Sequence, residues 1–173
     1  SFAFNQVNAT TTSSGDLAST ITTSSSISTS TITSVISLSN NSITVDGSTI
    51  SEDTSSGIYL TYNIETNADL SSNLSNVTNK VINITKGGTY VFSGEITDAQ
   101  IAVDVSDSET VNIILNGVSI TCRTAPAIVI YNAYDSETAG EAGVNFYLAD
   151  GTSNTVAGVH IPKSATYTVN GES

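Results

Sequence analysis

Methionine and tryptophan are missing from this 173-residue chain, and basic residues, proline and cysteine are nearly so. Each absence closes something off. With 4 Lys and Arg against 16 Asp and Glu, the formal net charge is -12. Nucleic acid and anionic membranes both need a positive surface, so they are poor partners; divalent cations become candidates. Two prolines exclude a stiff proline-rich stalk. The single cysteine, Cys122, excludes an internal disulfide framework and reads as a small buried hydrophobe. No stretch approaches the ~18 apolar residues of a membrane span. Enzyme signatures are missing too. His160 is the only histidine and Arg123 the only arginine, and the acids form no evident pair aimed at a cleft, as a glycosidase requires. The chain reads as non-catalytic.

What is present is Ser, Thr, Asn and β-branched residues, with an apolar share of 38%. That composition favours an all-β protein of one domain, with an arm. Asn-x-Ser/Thr acceptor sites stand at Asn8, Asn40, Asn73, Asn76 and Asn83. Together with a first residue Ser1, no methionine and an acidic, lysine-poor surface, they give the expectation of a processed, secreted glycoprotein.

The chain says one thing twice. Ile101–Thr110 runs into Val111–Gly117; Ile128–Thr138 leads, after an insert at 139–143, into Val144–Gly151. Each copy carries an alternating strand, the tetrapeptide Asp-Ser-Glu-Thr, a second strand opening with Val-Asn, and an Asn-Gly or Asp-Gly turn. A strand-and-turn repeat of roughly 25–35 residues marks a solenoid. Further strands are expected at 35–38, 43–45, 58–64, 81–84, 89–92, 118–121 and 166–169, with a polar loop over 67–79. Asx-Gly turns alone would also suit the hairpins of a sandwich; the repeat favours a stack.

Residues 1–34 read as an extended Ser/Thr-rich arm ahead of a β domain at 35–173. Phe2 and Phe4 fall at strand spacing near its tip, with Val7 beyond. Burial of each ring is worth roughly 1.5–3 kcal/mol, so the segment either folds back on its own domain or adds as a strand to a neighbour. A remnant of a leader or propeptide is a third option.

Val81–Gly94, with its Gly-Thr-Tyr and Ser-Gly, followed by Val111–Ile120 with Leu-Asn-Gly and Leu148–Val156 with Gly-Thr-Ser-Asn-Thr, resembles the bacterial carbohydrate-binding-domain family. The likeness covers about 35–171 and is sharpest at 81–156. It implies a short right-handed parallel β-helix that binds pectin-like acidic polysaccharide with calcium. Segment 54–78 is inserted relative to that pattern, 139–143 lengthens one corner, and the chain stops at Ser173 where family members usually continue through further rungs.

If the duplicated tetrapeptides occupy stacked corners, Asp107 lies above Asp135 and Glu109 above Glu137, about 4.8 Å apart. Like charges that close invite a cation, and calcium with its six to eight oxygen ligands suits the ladder, with Asp104 or Glu141 contributing. The alternative is a set of solvated turn acids. Asp104 and Tyr131 fall at matching repeat positions, opposite to Ile101/Val103 and Ile128/Ile130, which makes Tyr131, Tyr134 and Tyr147 candidate sugar platforms or, alternatively, packed corner residues. Two functions follow. The first is a filament subunit, polymerised head-to-tail by donation of the N-terminal strand. The second is a calcium-dependent carbohydrate-binding module.

Overall fold

The computed structural model describes residues 4–11 and 17–22 as backbone, and 31–64, 74, 76–106, 108–134 and 143–159 in full. Thirteen strands build it: β1 (Phe4–Thr11), β2 (Leu17–Thr22), β3 (Ser34–Leu38), β4 (Ile43–Val45), β5 (Ser48–Thr49), β6 (Ile58–Ile64), β7 (Thr78–Ile84), β8 (Gly88–Thr97), β9 (Ala99–Asp104), β10 (Val111–Thr121), β11 (Ile128–Asn132), β12 (Val144–Ala149) and β13 (Thr155–Ala157). No α-helix occurs among the described residues, in keeping with the Thr, Val and Ile content.

The strands form two mixed sheets. One runs β2-β1-β12-β10-β8-β3-β4-β5, with β13 also paired to β10; the other runs β11-β9-β7-β6. From β7 to β12 successive strands alternate between the sheets, and within each sheet they pair in parallel. The duplicated segments stack in register: Val111, Asn112 and Leu115 face Val144, Asn145 and Leu148, and Ile101 faces Ile128.

Period-two alternation aims one face of each sheet at the other. Ile82 and Ile101 are neighbours in one sheet, Phe92 and Leu115 in the other, and all four belong to one core with Ile84, Val103, Ile113 and Ile120. Side chains such as Ile82, Phe92 and Ile113 are wholly buried, each contributing roughly 1.5–3 kcal/mol. The nine-stranded sheet also has structure on its outer face. Val91, Ile114 and Tyr147 form a second buried apolar row. Beside it Asn145 Nδ2 donates to Asn112 Oδ1 at 3.2 Å, and Asn112 Nδ2 donates to Thr89 Oγ1 at 3.2 Å.

One dipeptide type gives two outcomes. Asp46-Gly47, both with positive φ, closes the β4–β5 hairpin, as a primed turn requires. Asn116-Gly117 instead bends β10 without reversing it, and Val118 rejoins β8 opposite Gly94. Gly94 has φ 97°, and a methyl there would collide with the Leu38 carbonyl of β3.

One expectation is corrected. The loop expected over 67–79 ends earlier, because β7 begins at Thr78 and Asn79 is buried against Thr124, to whose Oγ1 its Nδ2 donates at 2.7 Å. The N-terminal segment, for which folding back and addition to a neighbour were both open, pairs antiparallel with β12 of its own chain, Phe4 opposite Ala149 and Val7 opposite Phe146. This pairing satisfies the β12 edge, which would otherwise present unpaired backbone groups. Phe2, His160 and the strand expected at 166–169 lie outside the described residues.

Candidate functional site

A cleft of about 480 Å³ opens at the β6 end of the four-stranded sheet, lined by Ser39, Asn41, Glu52, Leu60, Tyr62 and Lys80 among others. Its back wall follows from strand parity. Ile58, Leu60 and Tyr62 lie on the same face of β6, opposite Ile84, Ile82 and Lys80 of β7. Leu60 closes the core at 8% exposure, whereas Tyr62, two residues on, is 55% exposed. The core's inward row therefore runs out into solvent as a phenol ring.

The segment that carries Glu52 is held by short polar turns. Asp53 Oδ1 accepts from Ser55 N–H at 2.9 Å and from Ser55 Oγ–H at 2.8 Å, which holds the Asp53 carboxyl below its usual range. Ser51 Oγ accepts from Asp53 N–H at 3.0 Å, and the Ser51 carbonyl accepts from Leu60 N–H at 2.8 Å. That turn carries Glu52. On the same lining, Lys80 Nζ donates to the Asn40 carbonyl at 2.8 Å, while Asn40 Oδ1 accepts from Thr97 N–H at 2.9 Å. The Lys80 ammonium, the Glu52 carboxylate, hydroxyls and the Asn41 amide thus line the cleft together with one exposed ring.

The acids expected to hold calcium are placed differently from one another. Asp107, Asp135, Glu137 and Glu141 lie outside the described residues. Asp104 is exposed at the end of β9. Glu109 has both oxygens engaged: Oε1 accepts from Gly87 N–H at 3.1 Å, and Oε2 from Ser106 N–H at 3.4 Å and Ser106 Oγ–H at 3.1 Å. These bonds, that of Gly87 foremost, pull its carboxyl below the ordinary value of 4.5. Among the described residues no three Asp, Glu, His or Cys side chains converge as metal ligands. The backbone of this corner is held on both sides. The Glu109 carbonyl accepts from Tyr134 N–H at 2.9 Å, and the corner rejoins the stack where Val111 N–H donates to the Gly143 carbonyl at 2.8 Å.

The three tyrosines also separate. Tyr131 is 69% exposed, Tyr134 is half-buried, and Tyr147 is 8% exposed within the outer apolar row. Burial raises the Tyr147 phenol's pKa, and the ring is not an accessible platform. Tyr131 is not the counterpart of Asp104: the register shifts after Ile130, and Asp104 faces Asn132. The extra residue is a bulge. Ile130, expected inward, is 48% exposed on this edge strand.

Of the acceptor asparagines, Asn8 stands in β1 and Asn73 lies outside the described residues. Asn40 and Asn76 are exposed. The Asn83 amide is half-buried, its Nδ2 donating to Thr61 Oγ1 at 2.9 Å, to the Val81 carbonyl at 3.1 Å and to the Tyr59 carbonyl at 3.3 Å.

Comparison with known proteins decides the family. The model of the family described as "carbohydrate-binding domain-containing protein" matches residues 78–171, more than half of the chain. This chain belongs to that family. A carbohydrate-binding domain-containing protein of Acetivibrio thermocellus is 37% identical over 92 residues, which is 53% of this chain and 29% of that relative. The chain thus spans under a third of the length of the curated relative it matches. No solved structure matches. Nothing in the comparisons concerns filament assembly, and no helix among the described residues is long and apolar enough to cross a membrane.

Tyr62, Lys80 and Glu52 were not singled out from the sequence. The signal was there in β6: Ile58, Leu60 and Tyr62 alternate on one face just ahead of a polar stretch, the pattern of a core row that overruns its core.

Proposed function

We propose that this chain is a non-catalytic carbohydrate-binding module, secreted and folded as a short right-handed parallel β-helix. Membership of the carbohydrate-binding domain family over 78–171 is the observation that carries the reading. The parallel pairing of β3, β8, β10 and β12 in one sheet and of β7, β9 and β11 in the other supports the helical winding. A right hand is the one that parallel crossovers take. The test is a depletion assay on insoluble polysaccharides: the chain leaves the supernatant with at least one of them, and without release of sugar. If it stays in solution with every polysaccharide, the reading falls.

A second reading is favoured by the net charge of -12 and the two copies of Asp-Ser-Glu-Thr. In it the ligand is an acidic, pectin-like polysaccharide, bridged by calcium through Asp104 and the acids of the duplicated corners. An anionic glycan needs such a bridge to approach an anionic protein. Retention on polygalacturonate that disappears on chelation supports this reading, and indifference to chelation removes it.

A further inference from the structure

We infer that the cleft between the 39–52 segment and β6–β7 is a binding site for neutral pyranose glycans, one that works without a metal ion. The inference rests on the carbohydrate-binding reading and assigns it a place and a ligand class. Apart from Lys80, the named walls of the cleft lie ahead of the family-matched span of 78–171, so the site belongs to this chain's own N-terminal portion.

Three observations converge. The first is Tyr62, 55% exposed on the same face of β6 as buried Leu60 and partly buried Ile58. An amphipathic ring of this kind presents a flat apolar face with a polar rim, which matches the C–H face of a pyranose. The second is the pairing of Lys80 with Tyr62 across β6–β7. Its ammonium has three donors; the bond to the Asn40 carbonyl at 2.8 Å fixes its direction with one of them. The third is Glu52, a carboxylate on the same lining. A donor and an acceptor of opposite charge lining one cleft with the ring suit vicinal hydroxyls, each of which both donates and accepts.

Charge decides between neutral and acidic sugars. A polyuronate would bring one carboxylate per residue toward Glu52 on a chain of net charge -12, with Lys80 the single cation lining the cleft among the described residues. A neutral chain meets no such repulsion. At about 480 Å³ the cleft falls within the size range of small-ligand sites.

Because the protein has seven tyrosines and no tryptophan, tyrosine emission can follow the ligand directly. The experiment titrates the intact chain with hexasaccharides of glucose, mannose and xylose, and with hexagalacturonate, each with and without EDTA. Neutral hexasaccharide binding that EDTA does not change is expected. Tyr62→Ala should weaken it about tenfold or more, Tyr62→Phe should retain most of it, and Glu52→Gln should weaken it by a smaller factor. Tyr131→Ala is expected to leave it unchanged. Matching thermal melts establish that the variants are folded. If a glycan binds but Tyr62→Ala and Glu52→Gln leave its affinity intact, the site lies elsewhere and the inference fails while the family reading stands. Preference for hexagalacturonate overturns the ligand class. If no sugar binds the unmodified chain, the carbohydrate reading fails and takes the inference with it.

Discussion

Glu109 and Gly87 stand 22 residues apart in the chain, and the Gly87 N–H donates to Glu109 Oε1 at 3.1 Å. The bond ties the corner after β9 to the corner before β8, and the same carboxylate holds Ser106 with its other oxygen. Side-chain braces between successive passages of the chain supplement the backbone ladders here, as the Thr89–Asn112–Asn145 row does on the outer face of the larger sheet.

Acid should loosen this brace. The folded-state pKa of Glu109 is lowered, by Gly87 first and Ser106 next, and that of Asp98 is lowered chiefly by its bidentate bonds from Arg123. A lowered carboxylate pKa contributes stability above its unfolded value and loses it as pH falls through the folded one. Melting temperature should therefore drop as pH falls below the ordinary values of 4.5 for Glu and 3.8 for Asp. Melts of Glu109→Gln across that range should show a shallower dependence, with the Asp98 share remaining.

The alkaline side turns on Tyr90. Burial, and then the charge of Glu109, push its phenol from 10.0 up to about 12, and its hydroxyl donates to the Lys86 carbonyl at 2.6 Å. A raised phenol pKa favours the fold below pH 10 and loses that advantage as pH climbs toward 12, on the order of 2 kcal/mol across the window. Tyr90→Phe should lower stability near neutrality by about 1 kcal/mol and flatten the alkaline limb of a chemical-denaturation series.

Glycosylation should discriminate among the acceptor asparagines. Attachment at Asn83 would break a half-buried amide network to Thr61, Val81 and Tyr59. Asn76, exposed and at φ 75°, carries no such restraint. Peptide mapping of material from a glycosylating host should find glycan on Asn76 and none on Asn83 in the folded protein.

The β1 strand offers a direct contrast between intramolecular capping and donation to a neighbour. Removal of residues 1–30 exposes the β12 edge that β1 covers, so self-association should increase in sedimentation velocity. A polymerising wild-type chain whose assembly disappears on the same truncation would instead support strand donation.

Much of this architecture was legible in the repeat. Val-Asn at 111–112 and 144–145 marked two strands that do pair in register, and Ile101 and Ile128 marked two more. Other features depend on contacts that alternation cannot report. Tyr147 looks outward by parity, yet the Val91–Ile114 row and Ile32 bury it on that outer face. The bulge at Tyr131 adds one residue to a strand whose composition gives no sign of it. The cleft exists only because segment 39–52 meets β6 and β7 in space, which no local pattern encodes.

The central claim is that the chain holds carbohydrate. Calorimetric titration of the 173-residue protein with soluble fragments of whichever polysaccharide retains it tests that claim most directly. A saturable isotherm with one fragment per chain is the predicted result. Heats no larger than those of dilution, from fragments of every polysaccharide class, would contradict it.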